Sequence, residues 1–322
     1  MKAVVATGYG PPETYTVGEV PVPVPGPGQL QVRIAAASVN PADIVLPGGA
    51  FRDSTPLEFP HVPGNDFAGT VSRLGAGVTG YRVGDEIFGQ SVPRALRAMA
   101  GTAARSLSTG TLAEYAVFEA DTPLLAHRPA GLDVAQAAAL PTVGLTARAL
   151  LATAQVRPGE TVLLVGATGG VGTTVLPLLA AAGARVVATG TPADAALLRS
   201  LGAAEVIGYG PADYPAGVDV AVNAVLPGDR LAAVAAALRS GGRLLTITYP
   251  VPLPESLGRD DVRLHFVLDL DARFGGMREV AEQAVGGALS ATIGRRYRLA
   301  DGARACADFA REHTTGKLVV TT

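Results

Sequence analysis

Thr161-Val-Leu-Leu-Val-Gly-Ala-Thr-Gly-Gly-Val-Gly172 is the most informative stretch of this sequence. Its first five residues form a short apolar run typical of a buried strand, and a glycine-rich turn and a helical pattern follow directly. This is the context in which the G-x-G-x-x-G fingerprint binds a dinucleotide. Aligned to that fingerprint, Ala167 takes the first glycine position, and Gly169 and Gly172 take the other two.

The glycines of this turn have separate physical roles. Glycine at 169 lets the backbone approach a pyrophosphate, and glycine at 172 lets the helix pack closely on the strand. The unpaired N–H groups of the first helical turn then face the anion. The residues predicted to bind the cofactor here are Ala167, Thr168, Gly169, Gly170, Val171 and Gly172. The plainer alternative is a turn that only connects a strand to a helix.

Strand-like runs separated by helical patterns continue after this turn. Six such runs occur between residues 161 and 268, and they lie at 161–165, 185–188, 205–207, 218–223, 243–247 and 263–268. Strands that alternate with helical crossovers predict a doubly wound parallel sheet with helices on both faces, which is the Rossmann arrangement. The predicted dinucleotide-binding domain covers residues 123–268.

The N-terminal region has a different composition. Of the 24 prolines, 11 lie within the first 63 residues. Because proline lacks an N–H and fixes φ, this region is expected to form short strands and turns. The tail after residue 269 has too little apolar sequence for a core of its own. The sequence therefore predicts a partly open, β-barrel-type domain assembled from residues 1–122 and 269–322.

Composition excludes several classes of function. The 26 basic and 28 acidic residues leave a net charge of −2, which argues against binding to nucleic acid. The 26 basic residues include only two lysines, so 24 are arginines, and lysine Schiff-base chemistry has almost no candidates. The single cysteine, Cys306, rules out a cysteine-based zinc site and fits a reducing cytoplasm. No apolar run approaches the roughly 18 residues of a membrane span.

The end of the second strand of this sheet predicts the cofactor. Sites that prefer NAD place Asp or Glu near this position to hold the ribose 2′-hydroxyl, but the sequence here is Thr189-Gly190-Thr191. Small hydroxyl side chains leave room for a 2′-phosphate, and Tyr209 is a second candidate contact. NADPH is therefore predicted, with NADH as the less favoured cofactor. Asp194 comes three residues later and is interpreted as a helix-dipole partner.

Several short segments together resemble the medium-chain dehydrogenase/reductase superfamily, specifically its zinc-independent quinone oxidoreductase branch. They are Ala37-Ser-Val-Asn-Pro-Ala-Asp43, Val62-Pro-Gly-Asn-Asp-Phe-Ala-Gly-Thr70, Val83-Gly-Asp-Glu-Ile-Phe-Gly89, Leu140-Pro-Thr-Val-Gly-Leu-Thr-Ala147, the glycine turn, Leu198-Arg-Ser-Leu-Gly-Ala203 and Gly316-Lys-Leu-Val319. The resemblance covers essentially the whole chain. It implies a GroES-like N-terminal domain beside the Rossmann domain, and commonly a homodimer.

The resemblance also implies site residues. Zinc-dependent relatives carry Cys near the position of Val39 and Gly-His-Glu where this chain has Gly64-Asn65-Asp66. No metal is therefore expected. Asn40 matches an asparagine beside the nicotinamide, with a simple turn residue as the alternative. Asp43 either orients that loop or caps a short helix. The predicted sixth strand is expected to line the nicotinamide face with Phe266 and Val267, although core packing explains these two equally simply.

Two departures from the family pattern bear on the reaction. Enoyl-reducing relatives often place a tyrosine near Phe51, and phenylalanine cannot donate a proton, so water or Tyr249 is the candidate donor. A packing role is the alternative for Tyr249. The segment from Ser91 to Thr109 is longer than expected. It is interpreted either as a lid or substrate loop that holds an anionic substrate, or as a surface helix. Its candidate substrate contacts are Arg94, Arg97 and Arg105.

The sequence thus predicts a cytoplasmic, NADPH-dependent reductase that transfers hydride to a quinone or a carbonyl-conjugated C=C bond without zinc. One alternative is an enoyl reductase that tailors a polyketide-type secondary metabolite. Another, from a different class, is a non-catalytic NADPH-binding sensor or structural protein. The histidines form no recognisable triad with a G-x-S-x-G serine, so serine hydrolysis is not predicted.

Overall fold

The computed structural model describes residues 1–54, 56–91 and 110–322. They divide into two compact units: the first combines Met1–Leu145 with Leu270–Thr322, and the second is Thr146–Asp269. The first unit thus continues to Leu145 rather than ending at the predicted residue 122. Thr142 shows the physical reason, because its N–H and its hydroxyl both donate to the carboxylate of Asp66 within the first unit.

The first unit is rich in β structure. Strands β1 and β2 pair with each other, and the remaining strands form a sheet with the order β14-β15-β3-β4-β5-β7, in which β6 also pairs with β3. The strands are β1 (Lys2–Val5), β2 (Thr16–Glu19), β3 (Gln29–Ser38), β4 (Asp66–Leu74), β5 (Glu86–Gln90), β6 (Tyr115–Glu119), β7 (Leu125–His127), β14 (Ile293–Arg298) and β15 (Lys317–Thr321).

The two ends of the chain meet in this sheet. Strand β15 pairs antiparallel with β3, with Val319 opposite Ser38 and Val320 opposite Ala37. The core beneath contains Phe67 stacked on Phe118 with ring centroids 4.0 Å apart. Both rings are buried, and a buried aromatic side chain contributes about 1.5–3 kcal/mol. Leu318 and Val320 of β15 belong to the same core cluster, so the tail completes the hydrophobic core of the N-terminal strands.

The second unit is a six-stranded parallel sheet, which confirms the predicted fold class. Its strands have the order β10-β9-β8-β11-β12-β13, and every pair is parallel. They are β8 (Thr161–Val165), β9 (Arg185–Thr189), β10 (Glu205–Ile207), β11 (Val218–Asn223), β12 (Leu238–Thr246) and β13 (Arg263–Phe266). The carboxyl ends of β8, β9 and β11 lie at one edge, where a sheet of this kind binds its ligands.

The helices differ from the sequence prediction at one proline. The helices are α1 (Ala42–Val45), α2 (Val134–Ala154), α3 (Gly170–Ala181), α4 (Ala195–Ser200), α5 (Ala232–Ala237), α6 (Met277–Val285) and α7 (Gly302–Arg311). The apolar pattern of the sequence predicts two helices here, at 134–140 and 142–154, on either side of Pro141, but α2 runs through this residue. Because the proline removes one ladder bond rather than a whole turn, neighbouring groups can keep the helix continuous.

By length and composition α2 could cross a membrane, but 67% of its most apolar window is buried in the protein, as in a core helix.

Candidate active site

The glycine turn after β8 has the geometry that the sequence predicts. Gly166 has φ of +87°, a value that favours glycine. A Cβ at Gly172 would lie 2.2 Å from the carbonyl oxygen of Gly166 and 2.6 Å from Cα of Ala167, so only glycine fits there. At Gly169 the nearest atom to a Cβ would be 3.6 Å away, so this position is uncrowded. The turn therefore has one glycine required for packing and one that leaves room for a ligand.

Helix α3 begins directly after this open position. Its N-cap is Gly169, in an extended conformation with φ of −72° and ψ of 174°, and no side chain caps the helix. The first N–H groups of an uncapped helix are suited to an anion. The turn thus fits the pyrophosphate of a dinucleotide, with Thr168 and Ala167 buried behind it.

Thr189, at the end of β9, lies inside this turn. Its hydroxyl accepts the N–H of Gly166 at 3.0 Å and donates to the carbonyl of Leu164 at 3.4 Å. The side chain is fully buried. Thr189 therefore braces the glycine turn, with its hydroxyl bound to the protein's own backbone. Tyr209 is 45% exposed.

Thr191 and Asp194 form a second polar feature after β9. Oδ2 of Asp194 accepts the N–H of Thr191 at 2.9 Å and its hydroxyl at 2.6 Å. Asp194 is buried, whereas the sequence predicts only a helix-dipole role for it. A carboxylate therefore lies beside the hydroxyl that is predicted to meet the cofactor's ribose.

Tyr249, which follows β12, lies against Phe266, the last residue of β13. Their ring centroids are 5.2 Å apart with the planes at 71°. Burial raises the pKa of Tyr249, so the protonated phenol is favoured. Val267 is packed into the core of the second unit. The position of Val267 in this core supports the packing alternative for that residue. The other two predicted residues, Tyr249 and Phe266, lie side by side.

A buried carboxylate organises the polar centre of the first unit. Asp66 begins β4, has no exposed surface, and accepts five hydrogen bonds. Oδ2 accepts from the hydroxyl of Ser38 at 3.1 Å, the amide of Asn40 at 3.0 Å and the ammonium of Lys317 at 3.3 Å. Oδ1 accepts from the N–H and the hydroxyl of Thr142 at 3.1 and 2.6 Å. Such a complete set of donors stabilises a buried negative charge.

The buried ammonium has a complete set of acceptors. Nζ of Lys317 donates to the carbonyl of Val39 at 2.9 Å, to Oδ1 of Asn40 at 2.5 Å and to Asp66. Lys317 is only 3% exposed. Burial lowers its pKa, and the charge of Asp66 opposes that shift. These contacts support a buried ion pair between Lys317 and Asp66 in which protein groups replace the solvent.

Asn40 is held on both sides of its amide. Its Nδ2 donates to the carbonyl of Ser38 at 3.2 Å and to Asp66, and its Oδ1 accepts from Lys317. Both amide hydrogens are therefore used inside the protein, and the side chain is buried. The resemblance implies a contact between this residue and the nicotinamide or substrate, but in this arrangement it can offer only the second lone pair of Oδ1.

Asp43 joins two loops. Oδ2 accepts the N–H of Asn40 at 2.7 Å, and Oδ1 accepts the N–H of Gly64 at 2.8 Å. Gly64 has φ of +117°, and a Cβ there would lie 2.5 Å from the N of Leu112. Burial raises the pKa of Asp43 to about 7, although both N–H bonds and Lys317 oppose the shift. The geometry supports the loop-orienting alternative for Asp43.

Replacing Asp43 with asparagine should remove a pH dependence from stability. Because the native pKa of about 7 lies above the ordinary value of 3.8, native protein keeps this proton to higher pH than the unfolded chain. Wild-type stability therefore falls as pH rises through this window. We expect the free energy of unfolding of wild type, relative to that of Asp43→Asn, to decrease by about 1 to 4 kcal/mol from pH 4 to pH 8 in urea titrations. Parallel pH profiles would contradict this prediction.

Four hydrogen-bonded residues of this centre are not among the predicted site residues: Gln90, Thr142, Asp66 and Lys317. Nε2 of Gln90 donates to the hydroxyl of Thr142 at 2.8 Å, and both side chains are partly exposed. One signal was available for Lys317. It is one of only two lysines in an arginine-rich chain, and it begins the apolar strand β15.

The remaining predictions concern Phe51, the arginines of the 91–109 segment and the expected absence of a metal site. Phe51 is partly exposed in the turn after α1. The candidate loop residues Arg94, Arg97 and Arg105 lie outside the described residues, so the lid remains a prediction. Among residues 1–54, 56–91 and 110–322, no group of three or more His, Cys, Asp or Glu side chains is arranged to hold a metal ion.

Two family models match the chain. The alcohol dehydrogenase GroES-like domain matches residues 26–129, and the zinc-binding dehydrogenase model matches residues 201–320. The first match lies within the first unit, and the second match includes residues of both units.

Individual proteins of known name are also similar. A 2-methylene-furan-3-one reductase of Solanum lycopersicum is 34% identical over 260 residues, which are 79% of this chain and 64% of that protein. An NADPH-dependent alkenal/one oxidoreductase of Arabidopsis thaliana is 32% identical with the same coverage. The chain thus spans somewhat less than two thirds of these relatives. The quinone oxidoreductase structure from Coxiella burnetii covers 100% of this chain and 99% of its own, with a TM-score of 0.86 and 25% identity.

Proposed function

Because this chain belongs to the medium-chain dehydrogenase/reductase superfamily, in its quinone oxidoreductase branch, we propose that it is an NADPH-dependent reductase that works without zinc. Its acceptor is a quinone or an alkene conjugated to a carbonyl group. The observation that carries the proposal is the open backbone at Gly169, which begins a helix at the carboxyl edge of a parallel sheet. The names of the two plant relatives support the choice of acceptor and cofactor.

The cofactor supplies the hydride, and the chain holds and orients it. Gly169, Gly170 and Val171 offer N–H groups to the pyrophosphate at the start of α3. Thr191 and Tyr209 are proposed to meet the 2′-phosphate. The paired rings of Tyr249 and Phe266 are proposed to lie on the nicotinamide side.

We propose that the protein works without zinc, because the side chains at the relevant positions are poor zinc ligands. Val39 has a hydrocarbon side chain, Asn65 has a neutral amide, and Cys306 is buried in the core with a raised pKa. Zinc favours thiolate and imidazole ligands, and Asp66 is already saturated by five donors. In place of a metal, the centre contains the ammonium of Lys317.

The decisive experiment follows the absorbance of NADPH with a panel of acceptors. We expect turnover with 1,4-benzoquinones, 9,10-phenanthrenequinone or simple enones, and with enzyme treated beforehand with a chelator. Turnover only with an enoyl thioester would favour the polyketide-tailoring alternative. Tight binding of NADPH without turnover of any acceptor would favour the sensor alternative.

Asp194→Asn should favour NADPH further over NADH. The carboxylate lies 2.6 Å from the hydroxyl of Thr191, so its charge opposes a 2′-phosphate at that position. Asparagine keeps an acceptor for Thr191 and removes the charge. We expect the ratio of the two Kd values, measured by fluorescence titration, to shift about three- to tenfold toward NADPH. An unchanged ratio would place the phosphate elsewhere.

A homodimer in the cytoplasm is also proposed. Among the strands that the structure describes, β13 is an edge of the parallel sheet, and an edge strand presents backbone groups that a second copy can meet. Light scattering after gel filtration should give about twice the chain mass of 32.5 kDa.

A further inference from the structure

Only some side chains of the polar centre of the first unit are exposed at the surface of that unit. Ser38, Asn40, Asp66 and Lys317 are buried, whereas Gln90 and Thr142 are partly exposed. A substrate can therefore meet this described cluster only at its Gln90 end. This follows from exposure alone and differs from the expectation that Asn40 makes the contact.

The charges at the buried end fix the direction of every hydrogen bond. Both Lys317 and Thr142 donate to the carboxylate of Asp66, so the single hydrogen of the Thr142 hydroxyl is used in its 2.6 Å bond to Asp66. The oxygen of Thr142 must then accept from Gln90, whose Nε2 lies 2.8 Å away. The amide of Gln90 is thereby oriented, with its NH2 end on the side of Thr142.

We propose that Gln90 donates the second hydrogen of this oriented NH2 group to the carbonyl or quinone oxygen of the substrate, and that Thr142, Asp66 and Lys317 are positioning residues that act through it. This inference rests on the proposed function. The acceptor gains a hydride and its electron pair at carbon while NADPH is oxidised to NADP⁺. The negative charge that develops on the substrate oxygen is stabilised by the N–H of Gln90, and that oxygen or its conjugated carbon then takes a proton from water.

An oriented donor aimed at developing charge contributes mainly to kcat. Gln90→Leu removes the donor and retains a side chain of similar size. We expect kcat to fall about 10- to 100-fold, with the Kd for NADPH changed less than twofold. Gln90→Glu should be at least as impaired, because a carboxylate cannot donate to Thr142 and repels the substrate's negative charge.

The positioning role is tested by a double-mutant cycle. Thr142→Val keeps the shape and removes the hydroxyl, so we expect a several-fold loss of kcat in the wild-type background and none in the Gln90→Leu background. Thr142→Ser, which restores a hydroxyl, should recover kcat relative to Thr142→Val. Ser72→Ala is the matched control. The hydroxyl of Ser72 donates to Oε1 of Gln31 at 2.7 Å, in the same sheet but outside this cluster. Equal losses of kcat in both backgrounds would overturn the positioning role.

A second measurement does not depend on turnover. The side-chain amide resonances of Gln90, identified by their absence in Gln90→Leu, should shift when tetramethyl-1,4-benzoquinone is added to the protein saturated with NADP⁺. In Thr142→Val the shift should be smaller. Turnover by wild type with no shift at Gln90 would overturn this inference and leave the proposed function standing. A shift without turnover of any acceptor would support the contact and overturn the reductase proposal.

Discussion

Gly172→Ala should destabilise the protein and abolish cofactor binding. The new Cβ would lie 2.2 Å from the carbonyl oxygen of Gly166 and 2.6 Å from Cα of Ala167, and both are backbone atoms that cannot rotate away. Forcing an extra methyl group into a packed site costs about 1 to 3 kcal/mol, and this contact falls at the upper end. The start of α3 must move away from β8, so the N–H groups of the turn lose their alignment. Urea unfolding and NADPH titration measure the two effects.

Gly169→Ala is the matched control for that prediction. The nearest atom to its Cβ would be 3.6 Å away and φ is −72°, so alanine fits the apo protein, and stability should change by less than about 1 kcal/mol. The methyl group would nevertheless stand where the pyrophosphate approaches, so we expect at least about a tenfold loss of affinity. If both variants bind NADPH like wild type, the glycine turn is only a connector.

Lys317→Met should strongly destabilise the first unit. It leaves the carboxylate of Asp66 with no exposed surface and without its cationic partner, a situation that costs about 3 to 5 kcal/mol. The carbonyl of Val39 and Oδ1 of Asn40 also lose their donor. Urea unfolding should show the loss, and a change below about 1 kcal/mol would contradict the ion pair.

Two further variants separate charge from geometry at this site. Lys317→Arg keeps the charge, but a planar guanidinium cannot aim three donors at acceptors grouped around one ammonium, so we expect it not to restore wild-type stability. The double variant Lys317→Met with Asp66→Asn removes both charges and should be more stable than Lys317→Met alone. If arginine substitutes fully, the site requires charge and not ammonium geometry.

Much of the fold could be predicted locally. The run 161–165 and the turn after it gave β8, the glycine turn and α3, because a strand and a helix each impose their own periodicity on apolar residues. The six parallel strands followed from the repeated alternation. The continuation of α2 through Pro141 was missed, because a proline alone usually signals a helix boundary.

Side-chain direction was much less predictable at the candidate site. Thr189 and Thr191 are both small hydroxyl residues two positions apart, yet one braces the glycine turn and the other bonds Asp194. Asn40 was assigned a ligand contact from its motif, whereas its amide is held by three protein groups. Which partner a polar group takes depends on elements distant in the chain, so local pattern does not reveal it.

The sequence by itself predicted a two-part α/β protein with a dinucleotide-type turn. The length and the proline gradient indicated the two parts, and the strand–turn–helix motif indicated the turn, because that motif depends only on neighbouring residues. The Lys317–Asp66 pair, with Asn40 on one side and Thr142 on the other, became visible only in three dimensions. Its members are brought together from β15, β4, the loop after β3 and α2. Burial at that meeting point makes complete hydrogen bonding obligatory, and that requirement orients Gln90.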